Sequence, residues 1–279
     1  MNIDSHQHFW TYRREQYPWM NGPLEPLRRD FLPEHLFPLT ADAGIDGVVT
    51  VQVRKALEET HWTCSLAEQH PEILGVVGWV DFTKPDVEAD IDLLPHPKLK
   101  GFRHILQDEP ANDLMDSTAF NNGVAHLHRS GLVYDLLIYE RHLPQAIAFV
   151  DRHPNQIFVL DHIAKPRIRE KEIEPWRTHF LDLARRPHVY CKLSGMVTEA
   201  EWTKWSRDDL APYIDVALEA FGPRRLMFGS DWPVLTLASS YERWVETLRS
   251  FTRTLSSTEQ SWIWSRSAAG VYQLAVVLD

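Results

Sequence analysis

Cysteine is scarce in this sequence. Cys64 and Cys191 are its two cysteines among 279 residues, and neither belongs to a Cys-x-x-Cys pair. This spacing excludes a disulfide-stapled secreted scaffold and a zinc ribbon. It favours a reduced, cytoplasmic protein.

Long apolar runs and clusters of basic residues are also missing. No apolar run approaches the roughly 20 residues of a membrane helix, and the N-terminus lacks the basic and apolar segments of a signal peptide. The 29 basic residues are outnumbered by 39 acidic ones, giving a net charge of −10. Because nucleic-acid binding relies on basic patches, we expect neither a membrane nor a nucleic acid as partner. The oligomeric state stays open.

The sequence does contain eight short β-like apolar segments, several of which alternate with amphipathic helix-like stretches. The predicted strands cover residues 4–8, 47–52, 74–80, 100–104, 132–138, 157–162, 189–194 and 226–229. This alternation predicts a (β/α)8 TIM barrel of one domain over residues 1–279. A doubly wound open sheet is the alternative, but no Gly-x-Gly-x-x-Gly follows an early strand. The proline-rich residues 18–38 are interpreted as a long loop, and residues 241–278 as closing helices.

Two histidines lie one residue apart in the first predicted strand. Residues i and i+2 of a strand point to the same side, so His6 and His8 share one face. A carboxylate, Asp231, follows the last predicted strand. These three side chains become neighbours only if the sheet closes on itself.

Other polar and aromatic residues also stand at predicted strand ends, where TIM barrels carry their active sites. Each has an ordinary structural alternative, such as an ion pair for Arg103 or a loop for Lys165-Pro166. Their joint placement favours an active site. The set comprises Gln52, Arg54, Trp79, Asp81, Arg103, His104, Asp161, His162, Lys165, Lys192, Ser194 and Trp232.

Five segments together resemble the amidohydrolase superfamily, in its amidohydrolase 2 branch of sugar-lactone hydrolases. They are residues 6–8, 101–104, 160–166, 191–195 and 229–233. The resemblance is nearest to L-fuconolactonases and L-rhamnonolactonases, and it implies that a sugar lactone is opened to its acid. It also implies one divalent metal ion, zinc in the first instance, on His6, His8, His162 and Asp231, with metal-free catalysis as the alternative. No lysine that would bridge two metals stands out at strand four or five.

The predicted mechanism is attack of a water on the ring carbonyl while Asp231 takes its proton. His162 and His104 are predicted to assist, with His104 or Asp231 returning a proton to the ring oxygen. The predicted substrate-binding residues are Gln52, Arg54, Trp79, Arg103, Lys192 and Trp232. The three cations among them would equally suit an anionic, dicarboxylate lactone.

Three further functions compete with this hypothesis. A metal-dependent decarboxylase of an unsaturated or aromatic acid belongs to the same branch and would release CO₂. A barrel that only binds partners would lack members of the histidine–aspartate set, yet His6, His8, His162 and Asp231 are all present. A nuclease of related fold is disfavoured by the net charge of −10.

Overall fold

The computed structural model describes residues 1–94, 96–109 and 114–278. Its centre is an eight-stranded parallel sheet whose strands follow one another in chain order from β1 to β8. The strands are β1 (Ile3–Gln7), β2 (Gly47–Val51), β3 (Ile73–Gly78), β4 (Leu99–Ile105), β5 (Val133–Leu137), β6 (Phe158–Leu160), β7 (Val189–Leu193) and β8 (Leu226–Phe228). Each overlaps a predicted strand, and the predicted TIM barrel is confirmed.

Helices connect the strands and cover the outside of the barrel. They are α1 (Pro33–Asp42), α2 (Leu57–Gln69), α3 (Val87–Asp92), α4 (Thr118–Ser130), α5 (Leu143–Arg152), α6 (Trp176–Leu183), α7 (Arg207–Phe221), α8 (Tyr241–Thr252), α9 (Ser257–Ser261) and α10 (Ser267–Val271). A π-helical turn, Trp262–Arg266, joins the last two. No described helix is long and apolar enough to cross a membrane.

The barrel closes between its first strand and the segment that follows its last. The amide of Asp231 donates to the carbonyl of His6 over 2.8 Å, and the amide of His8 donates to the carbonyl of Trp232 over 2.7 Å. The Ser5 hydroxyl adds a bond of 2.6 Å to the carbonyl of Phe228. The closing seam therefore runs through the predicted site residues.

Two apolar layers fill the molecule. A small cluster inside the barrel includes Ile3, Val77 and Met227, with Tyr272 packed among them from the C-terminal segment. A larger cluster fills the space between sheet and helices. Strand β7 alternates between the two layers, since Cys191 belongs to the outer cluster and Tyr190 packs against the inner one.

The interpretation of residues 18–38 as one long loop is wrong in part. A 3₁₀ helix covers Gly22–Leu27, and α1 begins at Pro33. Proline suits the first helical position because its fixed φ is preorganised and its missing N–H has no partner there. Pro38 lies inside α1, where sequence rules place a helix break. The closing helices expected over residues 241–278 are present.

Candidate active site

His6 in β1 and His8, directly after this strand, project into the mouth of the barrel. Their Nε2 atoms lie 3.2 Å apart, with the rings edge to face. Both side chains are buried, His6 completely. The phase predicted from the His-x-His spacing is thus the phase in the fold.

Asp231 joins them from the other side of the closing seam. Its Oδ1 lies 3.2 Å from Nε2 of His8 and 3.8 Å from Nε2 of His6. Gly229 makes this approach possible, because a Cβ there would lie 2.8 Å from Cβ of His6. Asp231 itself adopts a left-handed backbone, with φ of 59°.

His162 completes the group from an unusual turn after β6. Its Nε2 lies 3.8 Å from Oδ1 of Asp231, and its Nδ1 lies 2.8 Å from the hydroxyl of Ser194. Gly195 has a φ of 62°, and a Cβ at that position would lie 2.5 Å from Nδ1 of His162. The Leu-Ser-Gly sequence after β7 therefore supplies both a partner and the space for this imidazole.

The hydrogen bonds of His8 fix its tautomer. Nδ1 lies 2.8 Å from the carbonyl oxygen of Val51, which can only accept, so Nδ1 donates. The lone pair of the neutral ring is then on Nε2, which faces Asp231. Nε2 of His6 likewise lies 3.3 Å from the Arg103 guanidinium, which can only donate. In these tautomers both Nε2 atoms carry the lone pair of the ring, and that of His6 accepts from Arg103.

This donor set suits a divalent metal ion. Bonds of about 2.1 Å in tetrahedral geometry place ligand atoms about 3.4 Å apart. The separations among His6, His8 and Asp231 are 3.2, 3.2 and 3.8 Å, and His162 lies at 3.8 Å from Asp231. Neutral imidazoles and an ionised carboxylate are also the protonation states that ligation needs.

A buried charge network forms the floor beneath the histidines. Asp161 accepts from Arg103 over 2.9 Å, and its other oxygen lies 3.0 Å from Nζ of Lys192 and 3.2 Å from Nδ1 of His6. Lys192 also pairs with Asp135, whose carboxylate accepts from the Tyr272 hydroxyl. Two carboxylates thus balance two cations where water is excluded.

Burial and neighbouring groups together shift the pKa values of these residues. Burial and the nearby Lys192 cation lower the pKa of His6 well below its usual range. Burial lowers the pKa of His162 to about 4. Burial alone would raise the pKa of Asp231, but His162, His8 and His6 outweigh it and lower the pKa. At neutral pH Asp231 is therefore ionised, and the imidazoles of His6 and His162 are neutral.

A cavity of about 260 Å³ opens above this group. That volume suits a small ligand rather than a drug-sized one. Its polar lining residues are His8, Arg103, Gln107, Asp108, Tyr139, His162, Lys165 and Asp231. Its apolar and aromatic lining residues are Trp19, Leu24, Val53, Ile105, Leu137 and Val234.

Most of the predicted substrate-binding residues stand behind the cavity wall. Arg103 lines the cavity, and Gln52 holds it through its side-chain oxygen at 2.9 Å. Lys192 is fully buried below His6. The guanidinium of Arg54 lies over a tyrosine ring, that of Tyr17.

The aromatic predictions and His104 also have structural partners. Trp232 is buried against Phe9 and Phe31. The indole of Trp79 donates to Nδ1 of His104 over 3.2 Å. Nε2 of His104 therefore carries the proton, and it donates to the carboxylate of Glu109. Neither Trp79 nor His104 is among the lining residues of the cavity.

Sequence reasoning did not single out the polar lining residues Gln107, Asp108 and Tyr139, and it gave Lys165 no individual role. Gln107 and Tyr139 each follow a strand end by two residues, on the loops that form a barrel's mouth. That position was the available signal. The Oε1 atom of Gln107 has no hydrogen-bond partner within the described part of the chain.

Comparison with known proteins found a matching family model and curated relatives. The model of the amidohydrolase family matches residues 3–274. The chain is 42% identical to a curated L-fucono-1,5-lactonase of Burkholderia multivorans, over 100% of this chain and 98% of the relative. It is 38% identical to an L-fucono-1,5-lactonase of Burkholderia ambifaria, over 86% of this chain and 82% of the relative.

A solved structure has the same fold. The crystal structure of an amidohydrolase from Burkholderia multivorans with bound zinc superimposes with a TM-score of 0.95. The two are 42% identical, and the match covers 98% of this chain and 99% of that one.

Proposed function

We propose that this chain, which belongs to the amidohydrolase family, is a lactonase whose substrate is L-fucono-1,5-lactone or a lactone of closely similar shape. Sugar-lactone hydrolysis follows from its full-length likeness to curated lactonases. The observation that carries the proposal is the ionised Asp231 beside three buried histidines at the base of a small cavity. The proposal adds the identity of the sugar in the lactone.

We assign the proton transfers to Asp231. It lies at the cavity floor, where a water against its carboxylate can attack the ring carbonyl as the proton leaves. The ring C–O bond then breaks, and Asp231 returns the proton to the ring oxygen. His104 is not needed for this return, because both of its ring nitrogens already have partners.

His6, His8, His162 and Asp231 would hold one divalent ion. We propose zinc, since a relative of 42% identity has been solved with zinc bound. Such an ion would supply Lewis-acid polarisation of the carbonyl and would lower the pKa of a water towards about 7. That chemistry suits a site whose carboxylate, with its lowered pKa, is a weak base by itself.

The cavity lining supports a sugar lactone that carries a methyl group. Five aliphatic side chains line the cavity and can cover an apolar substituent: Leu24, Val53, Ile105, Leu137 and Val234. A 6-deoxy sugar such as L-fucose has a methyl group at C6, which is such an apolar substituent. The amide of Gln107 and the indole of Trp19 can bind the ring hydroxyls and one ring face.

The lining gives less support to an anionic, dicarboxylate lactone. Of the three cations predicted to bind carboxylates, Lys192 and Arg54 do not line the cavity. The third, Arg103, is occupied by Asp161 and Gln52. No contact in the described residues favours a decarboxylase.

A substrate panel tests the proposal. L-fucono-1,5-lactone, L-galactono-1,5-lactone and a dicarboxylate lactone would be compared by acid release. The two sugar lactones differ only in the hydroxyl at C6, so we expect the methyl compound to have about 10-fold higher kcat/KM, since a buried hydroxyl without a partner costs roughly 1–3 kcal/mol. Preference for the dicarboxylate, or no acid release from any lactone, would contradict the proposal.

Substitution of the base gives a second test. Asp231→Asn should lower kcat about 10²- to 10⁴-fold while the fold, followed by circular dichroism, is unchanged. The matched control is Asp81→Asn. Asp81 also follows a strand, but its carboxylate accepts from the amide of Thr83 and does not line the cavity. Near-native turnover by the Asp231 variant would remove it as the base.

A further inference from the structure

The turn after β6 has an unusual backbone. His162, Ile163, Ala164 and Lys165 have φ values of 53°, 48°, 60° and 48°. A left-handed conformation costs roughly 1–2 kcal/mol per non-glycine residue, and it is rarest for a β-branched residue such as Ile163. Four such residues in succession require strong support from the surrounding structure.

The fold supplies that support from two sides. The indole of Trp176 donates to the carbonyl of Ile163 over 2.8 Å, and Ser194 holds the ring of His162. Ile163 and Ala164 are fully buried. Strained backbone that is held this firmly is common at functional sites, where it aims particular side chains.

The turn aims two side chains at the cavity. In a helical turn of about three residues, positions i and i+3 lie on the same side. The amide of Lys165 closes the turn by donating to the carbonyl of His162 over 2.8 Å. His162 and Lys165 both line the cavity, and Lys165 is the residue of this pair without an assigned role.

Two basic side chains, Arg103 and Lys165, line the cavity, and they differ in the hydrogen bonds that they donate. Arg103 donates to Asp161 and Gln52, so its guanidinium is held in the floor. Lys165 Nζ lies 3.8 Å from Glu199 and 5.4 Å from the centre of the Tyr139 ring. Neither contact is a hydrogen bond, and the Lys165 ammonium donates to no residue within the described ranges.

We propose that Lys165 is a catalytic residue that donates a hydrogen bond from Nζ to the carbonyl oxygen of the lactone. This inference rests on the proposed lactonase function. When water adds to the carbonyl carbon, that oxygen becomes an anion. After the ring C–O bond breaks it belongs to the carboxyl group of the product, which then loses the second proton of the water to solvent. Lys165 keeps its proton throughout. Its charge stabilises the anion far more than the neutral lactone.

The first test is kinetic. Lys165→Met should lower kcat about 10²- to 10³-fold, the range for loss of one oxyanion donor, and Lys165→Arg should recover part of it. The matched control is Arg141→Met. The guanidinium of Arg141 stacks on the same Tyr139 ring at 4.5 Å, but this residue does not line the cavity. If Lys165→Met and Arg141→Met lower kcat equally, Lys165 acts only through the general electrostatic field, and the proposal is overturned.

The second test needs no turnover. Binding of L-fuconate, an anion, would be compared with binding of L-fuconamide, its neutral isostere, by calorimetry. Lys165→Met should weaken fuconate binding about 10- to 100-fold and leave fuconamide binding unchanged. Equal weakening of both ligands would show a packing role and overturn the proposal. If the wild-type enzyme opens no lactone, the proposed function fails by itself, and the comparison of anion with amide still decides the role of Lys165.

Discussion

Asp161 shows how much one residue can organise without touching the cavity. Its carboxylate is fully buried, yet Arg103, Lys192 and His6 surround it. Burying a charge without partners costs several kcal/mol, and removing one member of such a network leaves the others uncompensated. Burial alone would raise the pKa of Asp161, but Lys192, His6 and Arg103 outweigh it and lower the pKa. Asp161 therefore stays ionised, and it orients the ring of His6, which faces Asp231.

His153 offers a prediction about pH at the residue scale. It packs on Phe149 and its Nε2 lies 2.9 Å from the Asn121 amide oxygen. Burial lowers the pKa of His153 to about 4 from an ordinary 6.5, so the unfolded chain binds the proton more tightly. The folded state therefore loses stability as pH falls from about 6.5 towards 4.

Replacing this histidine isolates its contribution. His153→Gln keeps a donor for Asn121 but cannot titrate, so between pH 7 and pH 5 the wild type should lose about 2 kcal/mol relative to the variant. The measurement is the urea unfolding midpoint of both proteins at the two pH values. Parallel shifts of the two midpoints would contradict the prediction.

At the scale of elements, the site depends on a turn that another loop supports. Strand β6 ends at Leu160, two residues earlier than predicted, because Asp161 begins the turn that becomes left-handed at His162. The loop after β7 presses against this turn through Ser194 and Gly195. The Leu-Ser-Gly sequence is thus a support for the histidine.

Gly195→Ala tests this contact between elements. The new Cβ would lie 2.5 Å from Nδ1 of His162, so the ring must move. A displacement near 1 Å can lower activity about 100-fold, and we expect a loss of that order in kcat. The variant should also unfold at lower urea concentration.

The matched control is Gly222→Ala at the end of α7. Gly222 also has a positive φ, 61°, but a Cβ there meets nothing within 4 Å. The control should lose about 1–3 kcal/mol of stability through backbone strain and keep its kcat. Equal activity of the two variants would mean that the position of His162 does not depend on Gly195.

At the scale of the whole molecule, barrel closure and site assembly are one event. The backbone bonds that join His6 to Asp231 and His8 to Trp232 close the sheet. The side chains of His6, His8 and Asp231 form a ligand set that suits a divalent ion. An ion bound there links residues 223 to 225 positions apart in the chain, and it binds only the closed barrel.

Metal removal should therefore lower thermal stability. Binding that is restricted to the folded state stabilises it by about 2.7 kcal/mol at a ligand concentration 100 times Kd, which corresponds to a Tm shift of roughly 5–10 °C for a chain of this size. The Tm of protein treated with a chelator would be compared before and after zinc is restored. His8→Gln should remove the response, and His153→Gln should keep it, because His153 packs on Phe149 and is not one of the ligands. A response that survives in the His8 variant would place the ion elsewhere.

The sequence by itself determined the barrel, and it predicted the candidate catalytic group. Apolar segments at regular intervals predicted the strands, since burial of alternate faces requires that pattern. The spacing of His6 and His8 fixed their common face, because the side-chain period of a strand is two. The five family-like segments identified His162 and Asp231.

Tertiary structure alone decided which neighbouring residues reach the cavity. Residues at a strand end share a position in sequence, but contacts across the barrel decide whether each faces ligand or protein. Lys192 lies with Asp135 beneath His6, and His104 lies between Trp79 and Glu109. Lys165 turns towards the cavity because the backbone reverses its hand at His162. Such contacts join strands far apart in the chain, so no local pattern contains them.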